Sequence, residues 1–169
     1  MAEIKVQLGK KIISKTDIKG KILGGNDYFF EISGYSKAES IGKPHSMLRH
    51  PDMPKLVFRL LWTKLHHNQS VNAFVLNRCK NGDHYWVYAT VTPAKNHHGV
   101  VELYHSIRKK PNEDAIKIMS EFYATLNKLE KENGPEASKK YLKDFLDSTG
   151  MKFNDCMARL QAQGEVPTL

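Results

Sequence analysis

The sequence predicts an α+β fold: a five-stranded antiparallel sheet with helices packed on one face, followed by a C-terminal helical extension. Three observations predict it. Two runs rich in strand-forming residues, Val71–Cys79 and His84–Thr92, flank Asn81-Gly82, the strongest short-range hairpin signal. The strands fall in two blocks separated by helical patterns instead of alternating one by one with helices, which favours an antiparallel sheet over a parallel one. After residue 111 the spacing of apolar residues becomes helical and stays so.

Taken in order, residues 1–11 are a mixed apolar and basic lead-in. Ile12 to Leu23 contains two short strand-like runs around Asp17-Ile-Lys-Gly20. Gly24-Gly25-Asn26-Asp27 breaks the second run and supplies groups that start a helix, which carries Tyr28, Phe29 and Ile32 and stops at Gly34. Ser36-Lys-Ala-Glu39 has the form of a capping box for a second short helix. The segment Gly42–Pro54 then packs three prolines, two histidines, an arginine and an aspartate into a short span. From Leu56 to Leu65 apolar residues occupy nearly every face, so that helix is covered on most sides. A third strand, Gly99–Arg108, follows the hairpin. In the extension Met119, Phe122, Leu126 and Leu129 form one apolar stripe, and Gly134-Pro135 ends that helix. Two more helices follow, one to about Ser148 and one over residues 151–163.

Composition narrows the function. With 40% hydrophobic and 9% aromatic residues the chain has ample material for a core. Cys79 and Cys156 lie far apart and fit no metal or redox spacing, so a reducing, cytoplasmic setting is expected. Charges near the start interrupt any leader-like apolar run, and no stretch is apolar enough to span a membrane. The net charge of +8 is spread over scattered lysines with no aromatic-interleaved basic face, so nucleic acid is not an expected partner. Eight histidines include no His-Glu-x-x-His or comparable ligand spacing, and neither a metal site nor an enzyme is expected.

Strand alternation places Val71, Ala73, Val75 and Asn77 on one face, Tyr85, Val87, Ala89 and Val91 on another, and Val101, Leu103, His105 and Ile107 on a third. These mostly apolar rows are expected to face the helices. Asn77 and His105 interrupt them, and a buried amide or imidazole needs a partner from the protein or from a ligand. Arg49 offers a planar fork for phosphate or carboxylate, with His50 and Asp52 beside it, and Trp62 offers a flat packing surface. Together they suit a ligand with a flat ring and a charged tail.

At Asn26-Asp27-Tyr-Phe, Ser33-Gly34-Tyr35, Ile41-Gly42-Lys-Pro-His45, Arg49-His-Pro-Asp-Met-Pro54, Leu61-Trp62 and Asn77-Arg-Cys-Lys-Asn-Gly-Asp-His-Tyr-Trp86-Val the chain resembles PAS domains of the aerotaxis-receptor (Aer) type. It is also similar to stand-alone, CetB-like energy-taxis PAS proteins. The resemblance covers roughly residues 12–111, which become the expected sensor domain, with residues 112–169 as its extension. It implies a PAS fold and a cytoplasmic redox sensor that binds FAD non-covalently and signals to a separate, methyl-accepting-type chemotaxis transducer. By position Asn26, Arg49, His50, Asp52, Trp62 and Asn77 match family residues tied to flavin binding or signalling. The departures are Ser70-Val71 where the family has Pro-Trp, Ala73 where it has Gly, and His105 where it has an apolar residue. Val71 would leave the flavin site without an aromatic wall, and an inward His105 would offer haem a ligand. FAD, haem and an empty pocket acting as an adaptor are therefore the three readings. The stripe in the extension has three candidate occupants: the sensor itself, a second copy in a homodimer, or the transducer.

Overall fold

The computed structural model describes all residues, Met1–Leu169. The hairpin signal folds as expected. Strands β3 (Val71–Arg78) and β4 (His84–Lys95) pair antiparallel around a turn in which Gly82 sits at φ +93°, a conformation glycine adopts without strain. Asn81 Oδ1 accepts from the Asp83 amide at 2.9 Å and tightens the turn. Strands β1 (Ile12–Asp17), β2 (Ile22–Gly25) and β5 (Val101–Lys109) complete a five-stranded antiparallel sheet in the order β2-β1-β5-β4-β3.

Helix α1 (Asp27–Ser33) begins where Asn26 Oδ1 accepts from the Phe29 amide, and it ends at Gly34 in the left-handed conformation. Helix α2 (Lys37–Ser40) carries the full capping box between Ser36 and Glu39. A 3₁₀ turn, His45–Leu48, leads to helix α3 (Lys55–His66). These helices cover the inner face of the sheet, where Ile12, Phe29, Leu48, Leu65, Ala73, Tyr85 and Val87 are buried. Gly25 is tied to this packing: a Cβ there would lie 2.6 Å from Phe29 Cδ2.

The extension does not trail away. Helices α4 (Glu113–Asn133) and α6 (Phe153–Gln163) return to the outer face of β3 and β4, and α5 (Pro135–Thr149) packs against both of them. Phe74, Leu76 and Tyr88 are buried there with Met119, Tyr123, Leu126, Met157 and Leu160. Tyr123 stacks on Trp86 with ring centroids 6.0 Å apart. Phe122 and Phe145 pack between α4 and α5 at 4.6 Å. Of the three occupants the apolar stripe could take, the structure shows its own chain. The sheet is thus layered on both faces, with the short helices on one side and the extension on the other.

β3 is an edge strand, and such an edge leaves every second amide and carbonyl unpaired. Here four of these groups are taken up by other parts of the chain. Asn154 Oδ1 accepts from the Asn72 amide at 2.9 Å, and Tyr123 Oη donates to the Phe74 carbonyl at 2.6 Å. The Leu76 amide meets Met53 Sδ at 3.3 Å, and the Leu76 carbonyl accepts from the His50 amide at 3.3 Å. The lead-in adds a parallel bridge at Glu3 and His84, with the Ile4 amide donating to the His84 carbonyl at 2.7 Å.

Candidate functional site

Between the inner face and α3 lies a cavity of about 360 Å³, within the ~300–1,000 Å³ typical of ligand pockets. Its apolar walls come from Phe58, Leu61, Trp62 and Leu65 of α3 and from Val75, Ala89, Val91 and Tyr104 of the sheet. Trp62 meets Tyr104 edge to face at 5.7 Å. Its ring also lies against Gly20, where a Cβ would be 3.2 Å from Trp62 Cζ2, so the β1–β2 turn must be bare at that point. Lys19, Pro44, Ser46 and Arg49 line the cavity while remaining solvent-exposed, which marks its mouth.

The polar part of the lining contains donors and no carboxylate. Arg49 lies over the Phe58 ring, 3.6 Å from its centroid, and makes no ion pair. Asn77 is 5% exposed and stands opposite Tyr85 in the ladder. Burial raises the Tyr85 phenol to about 12, so it stays neutral. Arg108 is 3% exposed and has no acidic partner. Its Nη2 donates to Ser14 Oγ at 2.7 Å and its Nη1 lies 3.0 Å from His45 Nε2. A guanidinium can only donate, so His45 Nε2 is the acceptor and the imidazole proton sits on Nδ1. The Ser14 hydroxyl, 3.1 Å from the same Nε2, completes the triangle. Burial lowers the His45 pKa to about 3, and the adjacent Arg108 charge pushes the same way. Arg108 Nε remains without any partner.

The structure separates the residues singled out from the sequence. Arg49, Trp62 and Asn77 come together in the cavity lining. Asn26 lies outside it and acts on the backbone, capping α1 and also accepting from the Ile13 amide at 3.1 Å. His50 accepts from the Asp52 amide through Nδ1 at 3.0 Å, so its 3.8 Å approach to the Asp52 carboxylate is not an ion pair. Asp52 has an 81% exposed side chain, and its carbonyl accepts from Asn127 of α4 at 2.7 Å. Val71 faces inward as expected but belongs to the buried core beyond the cavity.

The face assigned to β5 requires correction. Tyr104, Ser106 and Arg108 point inward, and His105 and Ile107 point outward, with Ile107 43% exposed. The inner row of this strand is polar, so following its apolar residues selected the wrong side. His105 stands between Lys15 and Thr92 in the ladder and offers nothing to the cavity, which removes the ligand on which the haem reading rested. The same inversion hid Arg108, which shares the inner face with Tyr104 and Ser106. Ser14, Ser106 and Arg108, polar residues at strand spacing, were the signal that could have found it.

A family model described as PAS fold matches residues 22–108. The aerotaxis receptor of Escherichia coli is 40% identical over 116 residues, covering 69% of this chain and 23% of that protein. A nitrogen fixation regulatory protein of Klebsiella pneumoniae is 26% identical over 104 residues, covering 62% of this chain and 21% of that protein. The chain therefore spans under a quarter of the length of these curated relatives. Among solved structures, the light state of the Aureochrome1 LOV photoreceptor superposes with a TM-score of 0.61 at 18% identity, over 67% of this chain and 91% of that one, a likeness of fold alone. With a cavity between sheet and helices, the family match over most of the sheet and the identity to the aerotaxis receptor, this chain belongs to the PAS family and is of the aerotaxis-receptor type.

Proposed function

We propose that the chain is a cytoplasmic, non-enzymatic redox or energy sensor that holds FAD non-covalently in this cavity and signals to a separate chemotaxis transducer of the methyl-accepting type. One observation carries the reading: the cavity joins flat apolar walls to a polar set with two guanidiniums and no carboxylate. That chemistry suits a ligand with an apolar ring, acceptor atoms and a phosphate tail. FAD fits this donor set, and when bound it supplies reversible redox chemistry. Trp62, Leu61, Leu65 and Val91 would cover the ring and exclude water. Arg49 and Lys19, at the exposed mouth, would meet the diphosphate. Asn77 presents an amide that can donate or accept as the ring's needs change.

Output would pass through β3. Asn77 and Val75 face the cavity from this strand, while the adjacent Phe74 and Leu76 face the extension. A change at Asn77 that altered the strand would alter its grip on α4 and α6, and so the surface offered to a partner. Signalling requires different partner affinity in the two states. No helix is long and apolar enough to cross a membrane. The domain limits of residues 12–111 and 112–169 belong to this proposal.

The test is to incubate the full chain with FAD, remove the free cofactor and record the visible spectrum. Retained two-band flavin absorption supports the reading, and a colourless protein refutes it. Transducer affinity measured with oxidised and dithionite-reduced protein should differ. Equal affinities would remove the signalling mechanism.

A further inference from the structure

The cavity contains one group whose chemistry is unfinished. Arg108 is a buried cation with no counter-ion, its two Nη atoms are fixed by Ser14 and His45, and its Nε–H has no partner. Leaving such a donor bare costs stability, and a buried charge without a carboxylate costs more. The neighbours do not offset this: His45 is neutral and Ser14 is a hydroxyl. Phe29 lies 5.3 Å from the guanidinium and adds only a ring face. A position of this kind is readily explained if the missing acceptor arrives from outside.

We propose that Arg108 is the deep anchor of the cavity, whose guanidinium, closed off at Nε while the cavity is empty, shifts to donate to an acceptor atom on the ring edge when the ligand seats, with His45 as the positioning residue that holds it. The inference rests on the flavin reading. It assigns the two arginines to opposite ends of one ligand. Arg108 is 3% exposed and sits on the floor formed by β1 and β5, which this assignment gives to the ring. Arg49 is exposed at the mouth, where the phosphates would be. Ring carbonyls and phosphates are both acceptors, so burial is what divides them. A second consequence follows: the residue that holds the ligand weakens the empty protein.

The experiment compares wild type, Arg108→Met and Arg49→Met in the full chain, measuring the dissociation constants for FAD and for riboflavin, which lacks the phosphates. Thermal midpoints are recorded with and without ligand. Arg108→Met should weaken both ligands by about tenfold or more, the loss of one charged hydrogen bond. Its empty form should melt at the wild-type temperature or above, because an apolar side chain replaces an unpaired buried cation. Arg49→Met should weaken FAD and leave riboflavin almost unchanged. If Arg108→Met impairs folding, Arg108→Lys keeps the charge but lacks the Nε–H and should still lose ring affinity. His45→Gln keeps an acceptor for Nη1 and should retain more affinity than His45→Ala.

Wild type binding flavin with Arg108→Met binding equally well would overturn this inference and leave the flavin reading standing. Loss of FAD but not riboflavin in Arg108→Met would place Arg108 at the phosphates and also overturn it. Failure of the wild type to bind either compound would sink the flavin reading, and this inference with it.

Discussion

Replacing Tyr123 by phenylalanine isolates the contact that fastens the helical extension to the sheet. The hydroxyl donates to the Phe74 carbonyl at 2.6 Å, and the side chain is 3% exposed. Burial raises the phenol pKa well above its usual value, so the group is a neutral donor at any working pH. The carbonyl belongs to an edge strand and has no other partner in the ladder, so removing the hydroxyl leaves it buried and unpaired. A lost hydrogen bond is worth about 0.5–1.5 kcal/mol, and an orphaned buried acceptor raises that to about 1–3 kcal/mol. The ring still stacks on Trp86, so no cavity term is added. The expected cost is therefore ~2 kcal/mol, or roughly 4–8 °C in melting temperature for a chain of this size. Urea unfolding followed by far-UV circular dichroism measures it, with an unchanged m-value showing that the same surface is exposed. A loss below ~0.5 kcal/mol would refute the argument, because the edge carbonyl would then have found water and the extension could not be sealing β3.

Trp62→Ala should weaken FAD binding by about 1–3 kcal/mol through lost ring contact, and isothermal titration showing no change would place the flavin elsewhere. The His45 pKa falls from 6.5 in the unfolded chain to about 3 in the fold, so the unfolded chain takes up the proton first. Stability from this group is complete above 6.5 and drains away as pH falls towards 3, by about 2 kcal/mol at pH 5. Comparing urea midpoints at pH 7 and pH 5 for wild type and His45→Gln tests it, since the variant should lose that part of the slope while Arg108, Arg49 and Ser14 remain. Asn154→Ala removes the acceptor for the Asn72 amide and the donor to the Ser70 carbonyl, and should cost about 2 kcal/mol. Amide exchange should then quicken at Asn72, and an unchanged rate there would contradict the proposed sealing of the edge.

What the sequence disclosed followed the range of each signal. Asn26, the Ser36–Glu39 box and Asn81-Gly82 act within four residues, and each stands where it was read. The faces of β3 and β4 were legible because their inner rows are apolar and the hairpin fixes their register. β5 was not, because a polar inner row inverts the usual pattern and only its long-range pairing with β1 decides which side is in. The cavity shows the same division. Arg49, Trp62 and Asn77 stood out by residue type and local context. Arg108 and Ser14 are separated by most of the chain and become neighbours only when the first and last strands meet. His45 sat within the Pro/His segment, but nothing local distinguished it from His50. The extension showed its apolar stripe but not its destination, since a stripe states that a partner exists and not which one.

The guard on strand β3 bears on how this molecule can be divided. Cutting the chain at Arg108, where the family match ends, would remove Tyr123 and Asn154 together and bare the Phe74 carbonyl and the Asn72 amide. Phe74, Leu76 and Trp86 would face water beside that open seam. Such a fragment would join edges with its own copies, and any oligomer it formed would report the scissors and not the protein.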